Sequence, residues 1–201
     1  LFWRRPRQRT DDRFRVVYPG GLQAHQGLDV AIRAFALLRD KLPSAEFHVY
    51  GEGSEKDALE KLVRELEVGA HVLLHPMVPH CDVPQVMADA DLGLVPKRAD
   101  SFGNEAYSTK ILEFMSQGVP VLASRTMIDT FYFQEPAVML FTSGDPEDLA
   151  ARIIRLAGDA SLRQHIVASA DVLLAGNQWQ SKQHEYLALV DALAAGRNGT
   201  L

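Results

Sequence analysis

Short apolar runs alternate with segments of helical spacing along most of this chain, and that alternation limits the fold more than any other feature. Residues 14–18, 45–50, 72–75, 92–95, 119–123 and 138–141 read as strands, several bounded by Gly or Pro. Between them, 28–42 places Leu28, Ala31, Ile32, Ala34, Phe35 and Leu38 on one helical face. Ser54 and Asp57 resemble a capping box that opens a helix to about residue 68. Further helices are expected over 83–90 and 108–117, with Gly118 at the position of a C′ glycine. Asp145-Pro146-Glu147-Asp148 has the pattern of an N-cap followed by proline and acids, and helices at 160–175 and 178–194 follow. Strands this short and this continuously apolar are buried on both faces. The expectation is an α/β fold: a Rossmann-like, doubly wound parallel sheet of about six strands with C-terminal helices. In such folds ligands bind beyond the carboxyl ends of the strands, here after Tyr18, Tyr50, His75, Val95 and Ala123.

Composition narrows the class. The chain has 201 residues, 47% apolar and 23% charged, enough for one well-filled core. No stretch reaches the length of a membrane-spanning helix. Cys81 is the only cysteine, which fits a reducing, cytoplasmic setting. Net charge is −5, unevenly spread: residues 1–15 hold six Arg and two Asp (+4), leaving −9 for the remainder. An acidic body argues against nucleic-acid binding. The basic head fits an anionic partner such as a membrane surface, or a solvated linker, and composition favours the linker.

Three motifs bear on chemistry. The turn Gly20-Gly21-Leu22-Gln23-Ala24-His25-Gln26-Gly27 follows the first strand and opens a helix, where backbone can approach an anion. It is neither G-x-G-x-x-G nor a Walker A sequence, which counts against a dinucleotide oxidoreductase or P-loop NTPase. Gly51-Glu52-Gly53 is a second, weaker turn of the same kind. Glu105 and Glu113 form an E-x7-E pair. Eight residues of helix rise about 12 Å, close to the length of a sugar–diphosphate–ribose unit. One carboxylate would then take hexose hydroxyls and the other ribose hydroxyls, with the amides near Tyr107, Ser108 and Thr109 facing the diphosphate. Asp89-Ala90-Asp91 and the group His75, His80 and Cys81 lack the ligand number or spacing of a metal site, so no metal is expected. Trp179 and Tyr186 read as packing residues.

The run SFGNEAYSTKILEFMSQGVPVLAS (101–124) resembles the signature of retaining GT-B glycosyltransferases of family 4, the group 1 transferases. The segments YPGGLQAHQGLDVAIRAFALL (18–38), VYGEG (49–53) and ADADLGLVP (88–96) are similar in order and spacing to the C-terminal, donor-binding half of that fold. The resemblance implies a domain over 14–194, a basic linker remnant over 1–13 and a flexible tail over 195–201. It implies transfer of a hexosyl group from a nucleotide-diphospho-sugar to an acceptor hydroxyl with retention. No cofactor, metal ion or protein nucleophile is implied, and the leaving diphosphate helps deprotonate the acceptor. Residue by residue, Glu105 would be the catalytic residue that contacts the donor sugar, and Glu113 would bind the ribose hydroxyls. Ala106, Tyr107, Ser108 and Thr109 would cradle sugar and diphosphate, and Gly20 and Gly21 would lie under the diphosphate. Gly51, Gly53 and Val78, in the loop after His75, would face the nucleoside.

Two departures shape the expectation. Many members carry Arg after the first loop glycine and Lys before the last, where this chain has Gly21 and Gln26. Those cations neutralise the leaving diphosphate, and Lys110 or Arg125 is the expected substitute. The chain also covers only one of the family's two domains. It is expected to be a separated half that lacks its N-terminal acceptor domain, with an apolar face exposed on the last helix. Peripheral membrane contact is expected only of the full-length protein. The alternative is a non-catalytic nucleotide-sugar-binding or regulatory module that has lost its phosphate-neutralising cations.

Overall fold

A computed structural model of the protein describes residues 2–177 and 179–197. Six strands, β1 (Phe14–Pro19), β2 (Ala45–Tyr50), β3 (Val72–His75), β4 (Leu92–Val95), β5 (Val121–Ser124) and β6 (Met139–Phe141), form one sheet in the order β3-β2-β1-β4-β5-β6. Every pairing is parallel. Chain direction across the sheet reverses between β1 and β4, which creates a crevice at that point.

Helices cover both faces. α1 (Leu28–Leu38), α2 (Lys56–Glu65) and α6 (Pro146–Gly158) bury one side with Val16, Tyr18, Phe47, Leu92 and Leu94. α3 (Val83–Ala88), α4 (Thr109–Ser116) and α7 (Ala160–Asn177) bury the other with Val17, Val95, Val121 and Ala123. Alternate residues of one strand therefore enter opposite cores, as the period of two requires. Gly93 in β4 has a specific reason: a Cβ there would sit 2.4 Å from the Phe114 ring. Its absence lets α4 lie close on the sheet, with its first turn at the crevice.

Several local readings hold. Asp145 caps α6, accepting from the N–H groups of Glu147 and Asp148 at 3.0 Å each, with Pro146 in the first turn. Gly118 adopts φ +72° after α4. Others need correction. Ser54 does not cap α2, which starts at Lys56 with no side-chain cap. The N–H of Glu55 instead donates to Leu22 O at 2.9 Å, and Lys56 grips the Glu52 carboxylate at 2.8 Å. A short helix unanticipated from sequence, α5 (Met127–Tyr132), follows β5. Its Thr126 cap accepts from the Asp129 N–H at 3.2 Å. α8 (Trp179–Arg197) runs through residues 195–197, which were expected to be frayed, while residues 198–201 lie outside the described residues.

The basic head is not a solvated linker. Arg9 is nearly buried, paired with Asp91 and Asp11 and bonded to Asp89 O at 2.7 Å. Arg7 meets Asp91 at 2.6 Å, and Arg4 pairs with Asp171. This explains the Asp89-x-Asp91 motif: both carboxylates anchor the N-terminal strap, Asp89 by accepting from Gln8 N at 2.6 Å. Trp179 and Tyr186, read from the sequence as packing residues, do not enter either core. They instead lie more than half exposed on α8 and contact each other at 5.6 Å. Leu187, Leu189 and Leu193 on the same helix are exposed too.

Candidate functional site

A cleft of about 670 Å³ opens at the carboxyl ends of β1, β2 and β3 and reaches the first turns of α4. The β1 end supplies Pro19, Gly20 and Gly21, the β2 end Tyr50, Gly51 and Glu52, and α4 Thr109, Lys110 and Glu113. The far end is apolar, formed by Phe2, Met77, Val78, Pro79, His80 and Val83.

The two glycine turns interlock. Gly20 N donates to Tyr50 O at 2.9 Å and Leu22 N to Glu52 O at 3.0 Å, extending the β1–β2 ladder past the strands. A Cβ on Gly51 would lie 1.8 Å from Gly20 O, and one on Gly53 would lie 2.6 Å from Leu22 N. Gly53 therefore serves the contact between the turns and does not line the cleft. The Tyr18 hydroxyl donates to Gly21 O at 2.9 Å and fixes the turn from below.

Lys110 is the central charge of the cleft. Its Cε would lie 2.4 Å from a Cβ on Gly20, so the lysine stem occupies the space that glycine leaves. Its ammonium sits 5.2 Å from the Tyr18 ring centroid. Burial pushes its pKa below the usual lysine range; the Glu113 carboxylate opposes that shift and the Lys97 charge adds to it. Among the described residues Lys110 has no ion-pair or hydrogen-bond partner. The N–H groups of Tyr107, Ser108, Thr109 and Lys110 likewise donate to no protein acceptor among the described residues, as expected at a helix start. A desolvated cation beside a helix N-terminus and a glycine turn is a site complementary to an anion.

The aromatic wall is held from behind. Tyr50 stacks on His75, with ring centroids 4.4 Å apart and planes 13° apart. His75 Nε2 lies 3.0 Å from His48 Nδ1, and His48 Nε2 lies 3.0 Å from the Glu46 carboxylate. Burial lowers the pKa of both histidines. With both rings neutral, the carboxylate must accept from His48 Nε2–H, so His48 Nδ1 accepts from His75 Nε2–H.

The sequence-derived residues divide. The structure gathers Gly20, Gly21, Gly51, Val78, Thr109, Lys110 and Glu113 in one cleft. It does not bring Glu105 there. Glu105 is exposed in the turn of residues 101–105, its N–H bonded to Phe102 O at 3.0 Å. The 12 Å helical span does not apply, because α4 starts only at Thr109. Ala106, Tyr107 and Ser108 also lie off the cleft lining: Ser108 is buried, and Tyr107 packs against Tyr132 at 5.0 Å. Gln26 faces its neighbour His25, 3.0 Å away, and is not in the lining. Arg125 pairs with Glu135 at 3.4 Å outside the cleft, so of the two expected substitute cations only Lys110 is in place. Sequence reasoning missed Tyr50, His80 and Phe2 in the wall, and also Lys97 and Asp129 behind α4. Thr126-x-x-Asp129 carries the capping-box spacing, and that signal was available for the last. Among the described residues no cluster of three or more His, Cys, Asp or Glu could hold a metal ion.

Strand order, parallel pairing and a cleft at the reversal define a Rossmann-like α/β domain with an anion-complementary ligand site. The sequence model described as "Glycosyl transferases group 1" matches residues 2–194, and the chain belongs to that family. It is 32% identical over 124 residues to a GDP-mannose-dependent alpha-(1-6)-phosphatidylinositol monomannoside mannosyltransferase of Mycolicibacterium smegmatis, covering 61% of this chain and 32% of that one. It is 29% identical over 198 residues to D-inositol 3-phosphate glycosyltransferase 1 of Catenulispora acidiphila, covering 94% of this chain and 46% of the relative. The chain thus spans a third to a half of the length of these relatives. The fold superposes on HepE from Anabaena, solved in complex with UDP, with a TM-score of 0.77 at 22% identity, covering 90% of this chain and 49% of that one.

Proposed function

We propose that this chain is the donor-binding half of a glycosyltransferase that moves a hexosyl group from a nucleotide-diphospho-sugar to an acceptor hydroxyl with retention. The observation that carries the reading is Lys110: a partly buried cation with no partner among the described residues, against the Gly20 turn, with free N–H groups beside it. That set suits a diphosphate, which needs both positive charge and backbone donors. Glu113, one helical turn on, suits the ribose hydroxyls, and the apolar end with Tyr50, Val78 and His80 suits a base. The sugar would extend from the diphosphate toward residues 105–108, where Glu105 remains the candidate for contact with it.

Lys110 would stabilise the charge that grows on the departing diphosphate, and the diphosphate would take the acceptor proton. The acceptor site would lie on a second domain, as the relatives' greater length suggests, and the exposed apolar side chains of α8 suit contact with such a domain. The competing reading, a non-catalytic module, draws on Gly21 and Gln26 standing where cations were expected.

A thermal-shift panel of UDP-, GDP- and ADP-sugars tests the reading. One of them is expected to raise the melting midpoint, because a ligand that binds only the folded state stabilises it. Glu113→Ala is expected to reduce that rise by about 1 kcal/mol of binding, a factor of about 5 in affinity. If no nucleotide shifts the midpoint, the donor-binding reading is wrong.

A further inference from the structure

Behind α4 lies an ion pair removed from water. Lys97, at the end of β4, is 4% exposed, and Asp129 in α5 is 0% exposed. Their Nζ–Oδ2 separation is 3.0 Å. The same carboxylate oxygen accepts from the hydroxyls of Ser108 at 3.1 Å and Thr126 at 2.9 Å, while Asp129 Oδ1 is buried with no partner among the described residues. Lys97 Nζ also donates to Ala106 O. The Lys97 carbonyl in turn accepts from Ser124 and from Ser143, the latter at 3.1 Å.

Such a pair is a poor means of gaining stability. Desolvating two charges costs about as much as their attraction returns, and well-packed apolar residues often do as well. The unpartnered Oδ1 adds a further cost. What the pair does provide is placement. It holds the chain at two points, the Ala106 carbonyl and the Ser108 hydroxyl, on either side of Tyr107. The peptide units between and just after these points carry the free N–H groups at the start of α4.

We infer that Lys97 and Asp129 are positioning residues that aim the 106–109 backbone and the α4 N-terminus at the diphosphate. This deepens the donor-binding reading and rests on it. No step of the chemistry passes through either side chain.

The test uses Lys97→Met/Asp129→Leu, which keeps the heavy-atom skeleton at residue 129 and the length at residue 97 but loses both grips, and Ser108→Ala, which loses one with little change in packing. Two readouts are needed. The first is hydrogen exchange at the amides of Ile111, Leu112 and Glu113, the turn closed by Ile111 N on Ser108 O at 3.1 Å. It is expected to speed up about tenfold in the double variant and less in Ser108→Ala, with β4 and β5 amides unchanged. The second is affinity for UDP and GDP, expected to fall about tenfold in the double variant with its melting midpoint nearly kept. Wild-type exchange in both variants would overturn the inference, as would wild-type affinity in a folded double variant. If the unmodified protein binds neither UDP nor GDP, the donor-binding reading fails by itself, and the exchange measurement still decides whether the pair sets the α4 start.

Discussion

The amino edge of the sheet and the cleft at its carboxyl edge treat positive charge in opposite ways. At the amino edge, Arg4, Arg7 and Arg9 each meet a carboxylate, and Arg5 donates to Cys81 O at 3.3 Å. At the carboxyl edge, Lys110 is desolvated and meets none among the described residues. A satisfied cation fastens chain to chain. An unsatisfied one, held where water is scarce, raises the energy of the empty protein and is relieved when an anion arrives. The sequence's most conspicuous basic cluster is therefore structural, and a lone lysine in the first turn of α4 is the one that lines the cleft.

This contrast can be broken by substitution. Lys110→Ala is expected to raise the Kd for the bound nucleotide about 30- to 100-fold, the loss of a charge-assisted contact of about 2–3 kcal/mol. Its melting midpoint should hold or rise, because a desolvated charge is gone. Titration calorimetry with UDP and GDP reads the first, and a thermal melt the second. A pH series sharpens the point. Burial lowers the Lys110 pKa, so the unfolded chain keeps this proton to higher pH than the folded one. Stability from this group therefore rises with pH between the folded and unfolded values, and affinity for the diphosphate falls over the same window. Lys110→Ala should remove both slopes.

At the amino edge the expected order is reversed, with stability lost and binding kept. Asp91 takes Arg7, Arg9 and the Arg15 N–H at 2.8 Å, and the Arg9 and Asp91 side chains are only 7% and 13% exposed. Asp91→Asn should cost about 2 kcal/mol in urea unfolding, since it leaves the nearly buried Arg9 guanidinium with the more exposed Asp11 as its only carboxylate. The Arg4–Asp171 pair is about half exposed on both sides. Arg4→Ala should cost well under 1 kcal/mol, shrinking further in salt, which the same unfolding experiment can resolve. A large loss for Arg4→Ala, or a binding defect in Asp91→Asn, would mean the two edges are not separable.

How much of this could be read from the sequence follows from range. Buried parallel strands are continuous apolar runs, so all six were legible, three of them with the observed ends and the other three to within two residues. α5 was not. Its six residues are too few for periodicity, and Phe131, Tyr132 and Phe133 have strand-like composition. The place of Gly20, Gly21, Gly51, Lys110 and Glu113 in one cleft was legible because it follows from local order: strand, turn, helix start. The direction of Glu105 was not, since a turn has no fixed period to project a side chain. The anchoring of the strap was also hidden, because Arg4 and Asp171 lie 167 positions apart and only the finished fold brings them together. The same holds for Lys97 and Asp129, one at a strand end and one in the helix that had no sequence signature beyond a cap.

The interlocked turns carry an evolutionary consequence. With Gly20 O lying 1.8 Å from where a methyl group on residue 51 would stand, neither turn can drift independently. A library randomised at positions 20 and 51 together should return the parental pair almost alone, whereas one at positions 77 and 80, on the opposite, oily wall, should tolerate many replacements.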